Sequence, residues 1–568
     1  MAPRQIGAFT LALLLFLGSL LAGRVISANP VPISPATSPH PTSTQAVPDA
    51  TATATPNRTP APTPTHPPSP TPTLQSSGTV FLGETNTTAY ALAQDCLIHP
   101  LRLLVRKDEV YALDTGQLKL IGLGAEPTCR SIRPPGGLVD ETVLQELADI
   151  ALLENEGSLL LLDRAGNVFR YSPVDDDWQV ERLAHAAYAS SRQYLVTVCA
   201  HQEAFYLLDA NVGQIWQHTN ERAEVIPVDL DLRESVDLAV GEDVFVLAQE
   251  GYRGHLRLHR LVGQPLEPDP AFVPPPDLEN PSLLFLDKEA GGYLYVVDMG
   301  HQRLSVLDPS AGDLVREYLL ANEGPEIRAV YARGQKLYLA SRDAIYVYPR
   351  EPAGPGGLAR APAPQGDLMS LPPHDSRVIE LLPPLALPIE GTMISDLAFR
   401  LPGAPRSYRY GVHEGIDFYW AAGEMVTDTT PVLSVAAGKV VRADTGYEPP
   451  TLQAIEAMLA HAEEVYHTPE DVLDVLRGRQ VWIEHESGLV SRYCHLSAVA
   501  GDLEAGDHVE QGQMIGYVGN SGTPASYYDP GQEMHLHLEI RIGEGYLGQY
   551  LRPIEVKRWL YQIFGADA

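Results

Sequence analysis

The sequence predicts a mainly β, multidomain protein, with a six-bladed β-propeller followed by a second β domain that carries a small helical insertion. Three observations support this prediction. A two-strand unit recurs between residues 79 and 350, and short strands with tight turns dominate residues 379–568. Pro-rich segments stand before and between these regions. The chain has 568 residues, enough for about three to four domain-sized units.

The N-terminal segment 1–28 has the pattern of an export signal. Arg4 precedes a long apolar stretch, and Ala28 offers a cleavage position. If the segment is retained, Ile6–Gly23 is long enough to serve as a membrane anchor. Both outcomes predict an extracytoplasmic protein, either secreted or tethered to the membrane. A membrane contact is expected only through this segment, and only if it is retained.

Composition, charge and cysteine count predict the linkers, exclude one class of partner and limit the number of disulfides. Residues 29–78 are rich in Pro, Thr and Ser, which favours an extended stalk, and residues 351–378 form a Pro/Gly-rich linker. The formal net charge of −32 argues against nucleic acid as a partner, because such partners need a basic face. Four cysteines are too few for a disulfide scaffold, although Cys96 and Cys129 are candidates for one bridge.

The repeated unit predicts the number of blades. Its copies begin near residues 110, 159, 205, 244, 293 and 337. This spacing averages about 45 residues, the length of one four-stranded propeller blade, so six copies predict six blades. The fifth copy, Tyr293–Pro309, resembles the NHL-type repeat. A propeller buries its repeats against one another, so we expect a rigid scaffold or recognition module for a protein, glycan or peptide partner.

Residues 446–480 interrupt the strand pattern of the last domain. Their apolar residues have helical spacing, and "HTPEDV" predicts the start of a second helix with Thr468 as its N-cap and Pro469 in its first turn. We interpret this segment as a helical insertion in a loop of the β domain.

Two short motifs carry side chains suited to metal binding. "HEGIDF" places His413 and Asp417 on one face, and "MHLHLEI" places His535 and His537 on one face of a strand. Two imidazoles and one carboxylate are a common catalytic zinc set with an open position for water or substrate. Non-haem iron oxygenases use the same set, so these motifs alone leave the metal open.

A third motif, "SRYCHLS", places His495 at the end of a predicted strand between the other two. With "SVAAGKVVRA" and "GDHVEQGQMIGYVGNSG", the ordered motifs resemble the lysostaphin-type, or LytM, zinc metallopeptidases that cut peptide bonds in bacterial peptidoglycan. The resemblance covers the C-terminal domain, about a third of the chain. It implies a lysostaphin-like antiparallel β-sheet domain that binds one zinc ion per chain. The implied zinc ligands are His413, Asp417 and His537, and the implied catalytic histidines are His495 and His535.

The resemblance implies a zinc endopeptidase that hydrolyses stem or cross-bridge peptides of peptidoglycan. Zinc polarises the scissile carbonyl and acidifies its bound water, while an imidazole takes the proton. The sequence does not assign these roles between His495 and His535. A catalytically silent, cell-wall-binding or hydrolase-regulating protein stays open as the alternative. The insertion 446–480 departs from the family pattern, and we expect it at the rim of the substrate groove.

Overall fold

The structure, a computed structural model, describes two successive β domains. The described residues are 78–565 without 82–87, 94–95, 108, 154–156, 182, 184–194, 220–221, 250–254, 277, 279–280, 290, 299–302, 320–326, 343, 351–367, 376 and 529–530. The predicted signal segment 1–28, the stalk residues 29–77 and the linker residues 351–367 lie outside this description. Among the described residues, no helix is both long and apolar enough to cross a membrane.

The described strands of the first domain form six blade sheets and one separate two-stranded hairpin. Two N-terminal strands, β1 (Gly78–Phe81) and β2 (Thr88–Ala91), come first. Blade 1 contains β3 (Pro100–Arg106), β4 (Glu109–Asp114), β5 (Gln117–Gly122) and β6 (Thr128–Arg133), and a hairpin of β7 (Leu138–Val139) and β8 (Thr142–Val143) follows. Blade 2 contains β9 (Leu147–Leu153), β10 (Ser158–Asp163), β11 (Val168–Ser172) and β12 (Asp177–Glu181). Blade 3 contains β13 (Leu195–His201), β14 (Ala204–Asp209), β15 (Gln214–His218) and β16 (Ala223–Ile226).

The remaining blades repeat the arrangement. Blade 4 contains β17 (Asp237–Val240), β18 (Val244–Gln249), β19 (Leu256–Val262) and β20 (Glu267–Pro268). Blade 5 contains β21 (Pro281–Leu286), β22 (Leu294–Asp298), β23 (Arg303–Leu307) and β24 (Leu314–Leu319), and blade 6 contains β25 (Ala329–Arg333), β26 (Lys336–Ala340) and β27 (Ala344–Pro349). The first strands of successive blades contact one another, and β25 contacts β3, which closes the ring. The predicted mainly β fold with six blades is confirmed.

The N-terminal strands complete the propeller. Strand β2 pairs antiparallel with β27 and becomes the fourth strand of blade 6, while β1 pairs parallel with β24 at the edge of blade 5. Chain ends that share a sheet close the ring through backbone hydrogen bonds. Each unit recognised in the sequence corresponds to the second and third strands of a blade, so the sequence analysis had not detected the first, innermost strand of each blade.

Cys96 and Cys129 form the disulfide considered from the sequence.

Buried aspartates explain the acidic turns of the repeated unit. Asp114, Asp163, Asp209 and Asp298 end the second strands of their blades, and all four are buried. The Asp114 carboxylate accepts the backbone N–H of His99 at 2.6 Å, and Asp163 accepts that of Asn167 at 2.8 Å. Burial raises the pKa of Asp163 to about 6. Asp209 accepts the backbone N–H of Asn211, and Asp298 pairs with Arg303, so all four carboxylates have structural partners.

The second domain begins with helix α1 (Arg377–Leu381), and its described residues contain a seven-stranded sheet, a three-stranded sheet and two two-stranded sheets. Its strands before the insertion are β28 (Pro405–Arg406), β29 (Gly411–Val412), β30 (Ile416–Phe418), β31 (Trp420–Ala421), β32 (Glu424–Met425), β33 (Pro431–Leu433) and β34 (Gly438–Ala443). The insertion contains α2 (Leu452–Val465) and α3 (Glu470–Leu476). The rest comprises β35 (Val481–His485), β36 (Val490–Cys494), β37 (Ala498–Val499), β38 (His508–Val509), β39 (Met514–Tyr517), α4 (Ala525–Tyr528), β40 (Leu536–Ile542), β41 (Gly545–Tyr546) and α5 (Pro553–Phe564). Short 3₁₀ turns cover Leu368–Ser370, Ala398–Arg400 and Ser407–Arg409.

The main sheet has the strand order β30-β40-β36-β35-β34-β38, and all of these pairs are antiparallel. Strand β40 therefore lies between β30 and β36, and β41 also pairs with it. Apolar side chains of this sheet, of the smaller sheet β33-β39-β37 and of α5 share one core. In this register Asp417 of β30 and Cys494 of β36 lie on either side of His537 of β40. Three motifs that are distant in the sequence are therefore adjacent in the sheet.

The helical insertion is present as predicted, with one difference at a helix start. Helices α2 and α3 pack around a small apolar cluster of Ile455, Val472 and Leu476. The expectation that Thr468 caps α3 is wrong, because Pro469 occupies the N-cap and no side chain caps this helix. The Thr468 hydroxyl instead donates to the backbone carbonyl of Arg409. The Thr468 side chain therefore bonds a carbonyl 59 positions away in the sequence and does not cap α3.

The second domain packs on the face of the propeller where the first strands of the blades begin. At the start of α5, Arg552 donates to the carbonyls of Val236 and Ser282, which lie at the beginnings of blades 4 and 5. One turn later, Lys557 pairs with Glu234 of the propeller. Polar groups at the start of this helix, together with Ile554 in a propeller core cluster, therefore form part of the contact between the domains.

Arg164 of blade 2 forms the second contact between the domains. It is buried, and its guanidinium donates to the carbonyls of Gly403 and Tyr550, both at 3.0 Å, and of Leu551 at 3.4 Å. Its Nε also pairs with Glu146 of its own blade at 3.1 Å. One propeller side chain thus satisfies three carbonyls of the second domain.

Replacing Arg164 with methionine is expected to destabilise the full chain by about 3 kcal/mol, because buried carbonyl oxygens and Glu146 lose their donor. Denaturant unfolding of the full chain measures this loss. Arg222→Met is the control, since Arg222 is an exposed propeller arginine paired with an exposed Glu224. If both variants lost the same free energy of unfolding, the Arg164 contact would stabilise the chain no more than an exposed ion pair does.

Candidate metal centre

Three side chains from two motifs meet at the edge of the main sheet. Asp417 lies in the middle of β30, and His537 lies directly opposite it on β40. His413 follows β29 and stands four residues before Asp417. All three side chains are buried. The structure therefore brings together the three residues that the sequence had assigned as metal ligands.

The ligand atoms form a triangle. His413 Nε2 lies 2.9 Å from Asp417 Oδ1 and 2.9 Å from His537 Nδ1. The third side, between His537 Nδ1 and Asp417 Oδ1, is also 2.9 Å. Among the described residues, these three side chains form a group whose ligand atoms lie close enough together to hold one metal ion. Two nitrogens and one carboxylate oxygen are a donor set that suits zinc.

The outer nitrogen of each imidazole determines which nitrogen faces the centre. His413 Nδ1 lies 3.1 Å from the carbonyl of Leu401, and His537 Nε2 lies 3.3 Å from a carboxylate oxygen of Glu539. These oxygens can only accept, so both outer nitrogens carry the proton. The inner nitrogens of the neutral rings then present lone pairs to the centre. Two lone pairs and a carboxylate at 2.9 Å repel one another unless a proton or a metal cation lies among them.

The surroundings favour a neutral His413 and an ionised Asp417. Burial lowers the pKa of His537, but its hydrogen bonds to Asp417 and Glu539 raise it above the usual value. Burial, and next the Arg406 guanidinium, lower the pKa of His413 to about 3. Burial opposes ionisation of Asp417, but His413 and His537 hold its pKa well below the usual value. Arg406 lies 3.3 Å from the other oxygen of Asp417 and so directs Oδ1 towards the centre. A neutral imidazole and an ionised carboxylate are the forms that bind a metal.

His535 lies beside the triangle, directly before strand β40, which carries His537. Its Nδ1 donates to the carbonyl of Glu533 at 2.7 Å, so its Nε2 carries the lone pair, 3.8 Å from Asp417 Oδ1. The ring stacks on Tyr419 with 4.6 Å between centroids and 10° between planes. Two contacts therefore fix this imidazole with its free nitrogen towards the centre.

His495 approaches from the end of β36. Its φ of +62° turns the chain out of the strand, and its Nδ1 donates to the carbonyl of Ser521 at 2.8 Å. Its ring centroid lies 4.8 Å from that of His535 and 5.6 Å from that of His537. The structure thus brings all five predicted site residues into one cluster.

Comparison with known families identifies the domain that holds this cluster. Residues 411–550 match the profile of peptidase family M23. These residues are a LytM-type M23 domain. The chain therefore contains a peptidase domain. All five clustered side chains lie inside the matched range. A comparison with curated proteins finds no match.

Solved β-propellers resemble the preceding region. Virginiamycin B lyase from Staphylococcus aureus is 14% identical over 46% of this chain and 99% of its own, with a TM-score of 0.35. YCF48 bound to a D1 peptide is 10% identical over 49% of this chain and 100% of its own, with a TM-score of 0.33. PorZ of Porphyromonas gingivalis is 14% identical over 48% of this chain, with a TM-score of 0.31, and this chain covers 40% of PorZ.

A buried ionic network lies behind His537 in the M23 domain. Glu539 is almost fully buried, and its carboxylate receives the Arg477 guanidinium at 2.6 Å and that of Arg541 at 3.4 Å. Glu414 joins the same two arginines, at 3.0 Å from Arg477 and 2.6 Å from Arg541. Burial raises the pKa of Glu539, but the bond from His537 and the charge of Arg477 hold it well below the usual value. Glu539 is therefore an ionised acceptor for the outer nitrogen of His537.

The helical insertion contributes to this network, which the sequence analysis had missed. Arg477 directly follows α3, and its side chain is only 2% exposed. We had expected the insertion at the rim of the substrate groove. Its last residues instead place the buried Arg477 guanidinium against Glu539, which bonds the metal-ligand candidate His537. The Leu401 carbonyl and Arg406 were missed as well, because backbone carbonyls and common arginines leave no motif.

The other histidines of the M23 domain lie outside the cluster. His485 is buried but bonds the carbonyl of Ala437 and the hydroxyl of Ser491. His461, His467 and His508 are exposed. Cys494 is buried beside the network, where burial and then Glu539 raise its pKa well above the usual value. A thiol of this kind is a poor nucleophile.

Proposed function

We propose that the protein is an extracytoplasmic zinc endopeptidase that hydrolyses peptide bonds in the stem or cross-bridge peptides of peptidoglycan. The observation that supports this proposal is the convergence of His413, Asp417 and His537 within an M23 domain, with the two further histidines turned to the same point. The N-terminal sequence pattern supports the extracytoplasmic location. No basic face is expected from the net charge, so nucleic acid is not a proposed partner.

The three residues of the triangle fit one zinc ion per chain. His413 Nε2, His537 Nδ1 and Asp417 Oδ1 would hold it, since their lone pairs converge and their outer partners keep both imidazoles in the binding tautomer. When bound, zinc would polarise the scissile carbonyl and lower the pKa of the attacking water.

His535 and His495 would manage the protons. Burial lowers the pKa of His535, while the nearby Asp417 carboxylate acts in the opposite direction. Burial, then His535 and His537, lower the pKa of His495 well below its usual value. His535 is the proposed proton acceptor, because its Nε2 lone pair faces the centre, 3.8 Å from Asp417 Oδ1. His495 stays neutral, and its Nε2 accepts a hydrogen bond that orients the water or the departing amine.

Alanine at either His535 or His495 is expected to slow peptide cleavage by about 10²–10⁴-fold, the usual contribution of one proton-handling group. Zinc content should stay near one per chain, because neither residue belongs to the triangle. Metal analysis and cleavage rates of each variant measure the two effects. Loss of zinc in His535→Ala would contradict the division between ligand and proton carrier.

The proposed function is tested with the full chain. The metal is removed with a chelator, zinc is restored to half of the sample, and both halves are incubated with purified peptidoglycan. We expect new amino termini in the released fragments only in the zinc-loaded half, identified by mass spectrometry. A fully zinc-loaded wild type that releases no fragment would overturn the proposal and favour a silent cell-wall-binding or regulatory protein.

We propose that the propeller both supports the M23 domain and recognises a protein or glycan partner. One face is used by Arg552, Lys557 and Arg164 in the contact between the domains. The opposite end of the central channel contains a cavity of about 580 Å³ lined by the first strands of all six blades. A cavity of this size is typical of binding sites in rigid scaffolds. Retention of the full chain and of the isolated M23 domain on immobilised cell-wall components tests this role. Equal retention of the two would argue against it.

A further inference from the structure

A second cavity borders the metal centre. Its volume is about 300 Å³, and Asp417 and Tyr419 form part of its wall. These two residues also contact the proposed proton acceptor His535, which lies 3.8 Å from Asp417 and stacks on Tyr419. Any peptide held in this cavity would therefore lie within one residue layer of the reacting groups.

Arg400 gives the cavity a positive charge. Its guanidinium lies over the ring of Tyr419 at 4.3 Å and faces that of Phe399 at 5.4 Å. Its Nε is buried and has no hydrogen-bond partner among the described residues. The described residues also include no carboxylate within ion-pair distance of Arg400, in contrast to Arg406 beside it. Two aromatic faces thus hold a cation whose donors are not used.

The acids that line the cavity are already engaged. Asp417 belongs to the ligand triangle and pairs with Arg406. Asp396 pairs with Lys557 at 2.9 Å and accepts the hydroxyl of Tyr561 at 3.1 Å. Neither carboxylate is therefore available to Arg400. A guanidinium is the side chain best matched to a carboxylate, which it binds through two parallel hydrogen bonds.

Exposed apolar side chains complete the cavity. Trp420 is 49% exposed and Met393 is 61% exposed, and both line it. Apolar walls around one oriented charged group are typical of a site that binds a ligand and discriminates by one polar feature. A peptide chain with a single free carboxylate fits this combination.

We propose that Arg400 binds a free carboxylate of the substrate peptide next to the scissile bond, so that the protein prefers peptides with this carboxylate over amidated ones. This inference rests on the proposed function. Cell-wall peptides contain side-chain and terminal carboxylates, and amidation converts such a carboxylate into an uncharged group of nearly the same shape. Arg400 is a specificity-determining residue in this account and takes no part in proton transfer.

The test uses two synthetic cross-linked stem peptides that differ only in a carboxylate or carboxamide beside the scissile bond. For the zinc-loaded full chain we expect kcat/KM to favour the carboxylate form by about tenfold to a hundredfold. Arg400→Gln should cleave both forms at the rate of the wild type on the amide, with unchanged zinc content. Arg442→Gln is the control and should keep the preference, because Arg442 is engaged with Asp444 and Asp474 elsewhere in the domain.

Binding measurements separate this inference from the proposed function. Calorimetry with the same two peptides and the full chain gives their dissociation constants without cleavage when zinc is removed. A tighter carboxylate complex that Arg400→Gln abolishes supports the inference even if the zinc-loaded protein cleaves neither peptide, an outcome that would overturn only the proposed hydrolysis. Equal binding and equal cleavage of both forms by the wild type, or an unchanged preference in Arg400→Gln, would overturn the role of Arg400.

Discussion

Replacing His537 with alanine is expected to remove bound zinc and peptide cleavage together. His537 supplies one corner of the triangle, and the remaining His413 and Asp417 offer only two donor atoms. Two donors are too few for a zinc site of either structural or catalytic type. We expect zinc to fall from about one to below about 0.1 per chain, and cleavage to fall by at least about 10³-fold. Metal analysis and fragment release from peptidoglycan measure the two losses.

His485→Ala provides the matched control. Both histidines are buried in the same sheet, but His485 bonds only Ala437 and Ser491. This variant should lose stability through its unsatisfied partners and still bind zinc. If His537→Ala keeps its zinc, or if both variants lose it equally, the triangle is not the metal site.

Replacing Arg477 with methionine is expected to weaken both the metal site and the fold. Arg477 is the closest cation to Glu539, at 2.6 Å, and Glu539 orients His537 through its outer nitrogen. Without Arg477 the buried carboxylate of Glu539 loses its closest cation and the half-buried Glu414 loses one of its two arginines, which costs about 3–5 kcal/mol. Loss of a partner that orients a ligand lowers metal affinity by about 10–100-fold. Competition with a coloured chelator and denaturant unfolding give the two values.

Arg477→Lys separates position from charge. Lysine keeps the charge but loses the fork that reaches Glu539, Glu414 and Glu470 together. We therefore expect partial recovery of stability and incomplete recovery of zinc affinity. Unchanged zinc affinity in Arg477→Met, with stability lost, would show that Arg477 supports only the fold.

The sequence revealed those features whose signal is local. The alternation in "MHLHLEI" predicted that His535 and His537 share a face, and both lie at the centre, His537 on β40 and His535 directly before it. The spacing of the repeated unit predicted six blades, because each blade is built from neighbouring segments. Both patterns depend on residues only a few positions apart, where strand geometry determines the direction of each side chain.

Other features depend on contacts between distant segments. Arg477 meets Glu539 across 62 positions, and Arg164 meets Gly403 across 239. The closing strand β2 has only four residues, so its pairing with the last blade left no pattern of its own. Thr468 shows the same limit, since a distant carbonyl overrode its local capping tendency. Tertiary contacts decide such positions, and a single sequence does not display them.

X-ray absorption at the metal edge tests the central claim most directly. The full chain is purified without added metal, and its metal content and ligand shell are measured together. We predict zinc at about one per chain, with only nitrogen and oxygen neighbours at about 2.0–2.2 Å, and loss of this shell in His537→Ala. Iron in place of zinc, a sulfur neighbour at about 2.3 Å, or zinc retained in His537→Ala would contradict the assignment.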